Sequence, residues 1–354
     1  MRAALLSRNI AALLLSIAAC AVAADATVSP APPPVLREGA VMSKKAGMAV
    51  MLAVVRAGRR LVGVGERGII LLSDDNGVSW RQASVPVQAS LTAVRFDDDH
   101  TGWAAGHLGV ILKTEDGGTS WRLQLDGIRA ATLQADGLRS AGDDRSQRLA
   151  DQWIAEGPDK PFFDLDFADN QHGFAVGAYN MACTTSDGGK TWLPLSSRLP
   201  NPQGLHLYAV RVRGSDVFIA GEQGLLLHSA DGGSSFQTLP SPYKGSFFGL
   251  LVTRSGALLA YGLRGSLFRT TDFGASWRKI ETHATATIGT GIERDDGQLV
   301  LLTQTGDSLT SRDDGASFKL YPAATPAPTA AAAIAPDGQL VLATLRGLRR
   351  QPTP

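Results

Sequence analysis

The chain has 354 residues, with 34 basic and 33 acidic side chains for a formal charge of +1, and 44% of it is hydrophobic. That length can bury a large core without disulfides or metals, and the even charge balance argues against a nucleic-acid binder. The six histidines show no ligand spacing and only two cysteines are present, so neither a metal nor a cofactor is expected.

Residues 1–24 read as an export signal. Arg2 and Arg8 supply its basic region, Ile10 to Ala19 its apolar region, and Ala21-Val22-Ala23 a small-residue cleavage site. The apolar run is too short to span a bilayer well. Cleavage would remove both arginines and leave a formal charge of −1. Ile17-Ala18-Ala19-Cys20 also resembles a lipobox, which would anchor the chain through a lipid on Cys20. Its leading Ile and the downstream cleavage site rank plain export to the periplasm first. Either route leaves Cys183 as the remaining thiol, inside a predicted strand and expected to be buried and inert. Residues 25–34 form a proline-rich, extended linker.

Residues 35–354 read as a single all-β domain built on a repeat. The pattern Ser/Thr-x-Asp-x-Gly-x-Ser/Thr-aromatic occurs six times, with its aspartates at Asp75, Asp116, Asp187, Asp231, Asp272 and Asp313. The steps between them are 41, 71, 44, 41 and 41 residues, a period that marks a repeat architecture. Ten residues before each aspartate begins a Gly-x-x-Gly marker, degraded to Gly177…Asn180 and Thr303…Gly306 in two repeats. Thr344 and Gly347 carry the pattern into a seventh repeat. Short apolar runs punctuated by Gly and Asp give each repeat four strands, A to D, as in Leu91 to Phe96, Trp103 to Gly106, Val110 to Thr114 and Trp121 to Leu125. Seven such repeats predict a seven-bladed β-propeller with four-stranded blades.

The seventh repeat stops after strand C. Val35 to Ser43 is therefore expected to supply the missing strand and close the ring. The long step holds a helical insertion over 128–158, between blades two and three, read either as a tolerated surface insertion or as a lid or docking arm at the channel mouth.

The repeated aspartates read as turn locks, because an Asx turn ties the carboxylate to nearby backbone N–H groups and an active site needs one constellation, not six. No catalytic residue is assigned. The candidate binding site lies in the B–C turns on the other face, whose middle residues include Glu66, Arg67, His107, Tyr179, Glu222, Gln223, Arg264 and Arg346. Arg67, Arg264 and Arg346 fall at the same repeat position, and Arg and Tyr at a concave mouth suit a carboxylate or an acidic protein segment.

The box is the Asp-box (BNR) repeat. The run from Trp103 to Trp121, and Phe174 to Gly177 followed by Thr185 to Trp192, resemble the photosystem II stability/assembly factor family of chloroplasts and cyanobacteria, which has non-photosynthetic bacterial relatives. The resemblance covers residues 48–350. It implies a non-enzymatic propeller that binds a subunit of a membrane complex, or its exposed acidic or C-terminal segment, and assists assembly; the chain is expected to be a monomer. A sialidase-like or other glycoside hydrolase is the alternative, although no Arg-Ile-Pro motif occurs and none of the five tyrosines sits in a nucleophile setting. An accessory subunit of an envelope transport system is a third reading.

Overall fold

Short strands of alternating burial, each stopped by a glycine or an Asx turn, pair only with their neighbours in sequence and so build separate antiparallel sheets. The computed structural model describes residues 32–140 and 142–352. The expected export signal, Cys20 and most of the linker lie outside the described residues. Six sheets have four strands in the order A-B-C-D and the seventh has three. In blade one these are Met51–Ala57, Arg60–Gly65, Ile70–Ser73 and Arg81–Gln82. The later A strands are Leu91–Phe96, Phe162–Phe167, Leu207–Arg213, Phe247–Val252, Ile288–Glu293 and Thr329–Ile334. Together the A strands of all seven blades wall an axial cavity of about 390 Å³. The chain is a seven-bladed β-propeller.

The core lies between blades. Trp103, fully buried in strand B of blade two, stacks on Phe167 of blade three with centroids 3.6 Å apart. Its indole N–H donates to the Gly188 carbonyl in the next Asp box at 3.1 Å. The large aromatic thus buries apolar area while its one polar atom stays paired.

The expected ring-closing strand is absent. Blade seven ends on strand C, Gly347–Gln351, and Val35 to Ser43 forms no strand. The segment makes a 3-10 turn at Pro34–Leu36 and runs beside the chain that leaves blade one. The Ala40 N–H donates to Val85 O at 2.9 Å, Gln88 N–H to Val35 O at 2.8 Å, and Gln82 Nε2 to Val41 O at 3.0 Å. Leu36 is buried there with Val85, Val87 and Ala89. An apolar slot and backbone groups in need of partners hold the segment at this place, whereas strand C of blade seven offers Arg349 and Arg350. The ring closes face to face instead. Met51, Leu61 and Leu71 of blade one pack on Ala333, Val341 and Ala343 of blade seven, and the Gly347 N–H donates to Ala49 O at 2.9 Å.

The insertion is two helices, α1 (Gly127–Arg139) and α2 (Asp144–Glu156), each begun by an aspartate whose side chain accepts a backbone N–H, Asp126 from Arg129 and Asp143 from Ser146. Helix α1 buries Ala130, Ala131, Gln134 and Ala135. The Gln134 Nε2 donates to Ala182 O at 3.0 Å in strand C of blade three, and Ser196 Oγ donates to Gln134 Oε1. The insertion is therefore docked on the outer strands of blade three and on the B–C turn of blade two, and none of its described residues lines the axial cavity.

Candidate functional site

The B–C turns are built by close approach. The first glycine of each marker lies in extended backbone against the start of its own strand A: a Cβ on Gly65 would sit 2.1 Å from Val50 O, and one on Gly106 2.1 Å from Ser90 O. The last glycine takes positive φ, and a Cβ on Gly224 would meet Tyr243 O at 2.0 Å. Asn180 holds the same left-handed conformation in blade three, with φ of 64°.

Between these two positions the turn has a tip. Arg67, Leu108, Tyr179, Gln223 and Arg264 all occupy the left-handed region, with φ from 52° to 56°. That conformation costs an L-residue on the order of 1 kcal/mol relative to glycine, so backbone fit does not explain these side chains. Arg67, Tyr179, Gln223 and Arg264 are exposed, as is His107 one position earlier. The guanidiniums of Arg67, Arg264 and Arg346 have no hydrogen-bond or ion-pair partner among the described residues.

Three of the expected site residues behave differently. Glu66 Oε1 accepts the Val50 N–H at 2.9 Å, and Glu222 Oε2 accepts the His206 N–H at 3.2 Å. Both are half-buried clasps that tie the turn to the residue just before strand A of their own blade. Arg346 is exposed but lies in a shorter turn, in which Thr344 pairs directly with Gly347 and the positive φ falls on Gly347. Its match to Arg67 and Arg264 is one of sequence spacing, not of backbone conformation.

The wall of the axial cavity comes from strand A, and sequence reading missed how. In every blade the register between A and B slips once, next to the B–C turn: between Met51 and Ala53, Leu91 and Ala93, Leu207 and Ala209, Phe247 and Gly249, Ile288 and Thr290, Thr329 and Ala331, and between Val176 and Gly177 opposite Phe163. A bulge re-aims the extra residue. Leu52, Thr92, Phe163, Tyr208, Phe248, Gly289 and Ala330 thereby form a ring of one residue per blade in the cavity wall. An aromatic chain connects this ring to the turns. Tyr179 lies edge-on to His206 at 4.6 Å, Phe163 lies 5.5 Å from Tyr208, and Tyr208 lies 4.9 Å from Phe248.

Deeper in the wall, Asp164 Oδ2 accepts the Val210 N–H at 3.1 Å and pairs with Arg211, while Asp166 pairs with Arg95 at 2.8 Å. Burial pushes the Asp164 carboxyl up, against the pull of the Arg211 guanidinium. Arg211 stays charged, since the Asp164 and Asp166 charges outweigh its own burial. These acids stitch blade three to blades two and four.

The Asp boxes sit at the other end of the blades. In blade two the Thr114 hydroxyl donates to Asp116 Oδ1 at 2.8 Å and accepts the Gly118 N–H at 2.9 Å. The same carboxylate accepts the Ser120 N–H at 2.9 Å and its hydroxyl at 2.6 Å, and the Trp121 indole donates to Gly118 O at 2.9 Å. Asp75, Asp187, Asp231, Asp272 and Asp313 repeat the carboxylate bonds, while the indole bond recurs at Trp80 and the Trp192 and Trp277 N–H groups have no partner among the described residues. Both carboxylate oxygens of Asp116 are engaged in holding the turn. Asp98, Asp99 and His100, in the A–B turn of blade two, bring three possible metal-ligand atoms together, but in the open and with Asp98 Oδ1 already accepting two backbone N–H groups.

A second hollow of about 850 Å³ lies between α2 and the connection after blade three, with Tyr179, Asn180 and Trp153 on its walls. Lys160 is buried beside it, paired with Glu156 and Asp159 and held 4.6 Å above the Trp153 ring.

Comparison with known proteins supplies the family. The profile described as photosynthesis system II assembly factor YCF48 matches residues 60–135 and 148–340. A photosystem II assembly lipoprotein Ycf48 of Synechococcus sp. (strain CC9902) is 41% identical over 76 residues, which are 22% of this chain and 23% of that protein. The chloroplastic photosystem II stability/assembly factor HCF136 of Oryza sativa subsp. japonica is 32% identical over 76 residues, 20% of this chain and 18% of that one. Those alignments thus span less than a quarter of either curated relative. Among solved structures, YCF48 from Cyanidioschyzon merolae superposes with a TM-score of 0.55 at 16% identity, over 78% of this chain and 89% of that one, a likeness of fold. On the extent of the profile match, the chain belongs to the photosynthesis system II assembly factor YCF48 family.

Proposed function

We propose that this chain is an exported, non-enzymatic propeller that binds a subunit of a membrane protein complex and assists its assembly or stability. The observation that carries this reading is the B–C turn face. Arg67 and Arg264 stand at strained turn tips, exposed and without a partner among the described residues, where backbone fit would favour glycine. A side chain kept against a local conformational cost is the mark of a contact made elsewhere. Guanidinium groups suit carboxylates, so the expected partner surface is an acidic or C-terminal segment of that subunit. The names of the curated relatives, an assembly lipoprotein and a stability/assembly factor, favour assembly as the task. The name of the first also lends weight to acylation at Cys20 beside plain export to the periplasm.

The test is capture from solubilised membranes. Arg67→Glu, Arg264→Glu and Arg346→Glu together should cut partner recovery at least about tenfold, as expected when desolvated charge pairs are reversed, with thermal stability unchanged. Undiminished recovery would remove the arginines from the site. The alternative, glycoside hydrolysis, has little to work with, since the acids of the channel wall, Asp164, Glu293 and Asp295, are committed to arginines, the first two also to backbone N–H groups. Turnover of any glycoside that a single acid substitution abolished would overturn the non-enzymatic reading.

A further inference from the structure

The ring made by the seven bulges is strongly uneven. Blades three, four and five contribute Phe163, Tyr208 and Phe248, whereas blades six and seven contribute Gly289 and Ala330. The aromatic residues do not fill the axis, because about 390 Å³ remains open beside them. That volume lies within the ~300–1,000 Å³ of ordinary ligand sites.

The gap on the small side is not imposed by the backbone. Gly289 does not take positive φ, and a Cβ there would meet only Gln304 Cγ at 3.7 Å and Ala330 O at 4.0 Å, which are ordinary contacts. Glycine at this point leaves room and serves no turn. Tyr208 adds a polar signal: its ring is half-buried in the wall, and its hydroxyl has no hydrogen-bond partner among the described residues. A phenol placed between Phe163 and Phe248, away from the charged residues deeper in the wall, is a donor or acceptor waiting for one on a ligand.

We propose that the axial cavity is a binding site for one aromatic side chain, indole or phenol, carried by the acidic segment that the B–C turns hold. This rests on the turn-face reading above. The ring would enter over Gly289 and Ala330, lie against Phe248 and Tyr208, and exchange a hydrogen bond with the Tyr208 hydroxyl. Arg67 and Arg264 on the same face would hold the acidic groups that flank it. The aromatic side of the ring then supplies an apolar anchor and the turns supply charge, the division of labour found at binding hot spots.

The experiment uses the full chain and 5-fluoroindole as the probe, followed by ¹⁹F NMR titration. Saturable binding is expected, competed by N-acetyltyrosinamide and not by cyclohexanol. Gly289→Leu with Ala330→Leu should weaken it about tenfold or more by filling the gap. Should that chain not fold, Phe248→Leu, which removes the ring and keeps an apolar side chain, should weaken it about fivefold. No saturable binding, equal competition by cyclohexanol, or unchanged affinity in a folded filled variant would each overturn the proposal. The arginine reversals should leave 5-fluoroindole binding intact while lowering partner capture. A failure of the cavity and a failure of the turn face are thereby told apart.

Discussion

At the scale of the residue, the Asp box is a set of hydrogen bonds whose cost of removal depends on burial. Thr114 is 1% exposed and its hydroxyl alone satisfies the Gly118 N–H. Thr114→Val keeps the shape and strands that donor, so it should destabilise the fold by about 1–3 kcal/mol in urea unfolding. The aspartates behave differently because five of the six are exposed and Asp187 is half-buried. The Ser79 and Ser73 hydroxyls and the Ser79 and Val78 N–H groups hold the Asp75 carboxyl at about 2 instead of 3.8. The serines of their own boxes do the same for Asp231, and Ser276 and Thr270 for Asp272. A carboxyl depressed in the folded state contributes fully above its unfolded value and loses that contribution as pH falls through the folded one. The urea midpoint should therefore be flat down to about pH 4 and drop between about pH 4 and 2; a midpoint that drops mainly above about pH 5 would point to other groups. These locks were legible in the sequence because their donors sit at fixed offsets along a single turn. Cys183 was legible too: it is buried, and desolvation pushes its thiol up to about 12 despite Gln134 Nε2 at 3.2 Å. The roles of Glu66 and Glu222 were not legible. Their partners, Val50 and His206, lie 16 residues back, just before strand A, and only the folded blade brings them together.

At the scale of the element, the sequence rhythm placed the strands well, since runs bounded by glycine and Asx turns leave little choice of ends. Strand A of blade two was expected and found at Leu91 to Phe96. The bulges were invisible because one extra residue in strand A disturbs the alternation of buried and exposed positions no more than an ordinary loop boundary would. The ring they build was invisible for the same reason. The helical insertion was found by composition, but its placement required tertiary contacts. Gln134 reads as a polar residue of an amphipathic helix, yet it is 1% exposed and bridges to Ala182 and Ser196. The insertion is thus part of the cover of blade three, with Ala130 in the same core as Met181, Cys183 and Trp192. Replacing residues 127–157 by a short loop should lower Tm by at least about 5 °C. An unchanged Tm would show that the helices are mere ornament on blade three.

At the scale of the whole molecule, seven near-equivalent blades make one unequal object. The period counted the blades, but not the way they close, because the sequence has no local signal for which surface a terminal segment prefers. Leu36 prefers the apolar slot beside Val85 and Val87 to the basic edge of blade seven. The ring is therefore a split washer. Among the described residues no strand is shared across the joint, which rests on the alanine-rich packing of blade seven against Met51 and Leu61 and on the Gly347–Ala49 hydrogen bond. A ring with a built-in slit has a preferred place to spring open, and strain from a partner pushed into the axis would be relieved there first. Native-state hydrogen exchange should find the amides of Gly347–Gln351 and Met51–Ala57 opening at lower free energy than those of blades three to five. Uniform protection around the ring would mean that the slit is as firm as the metal on either side of it.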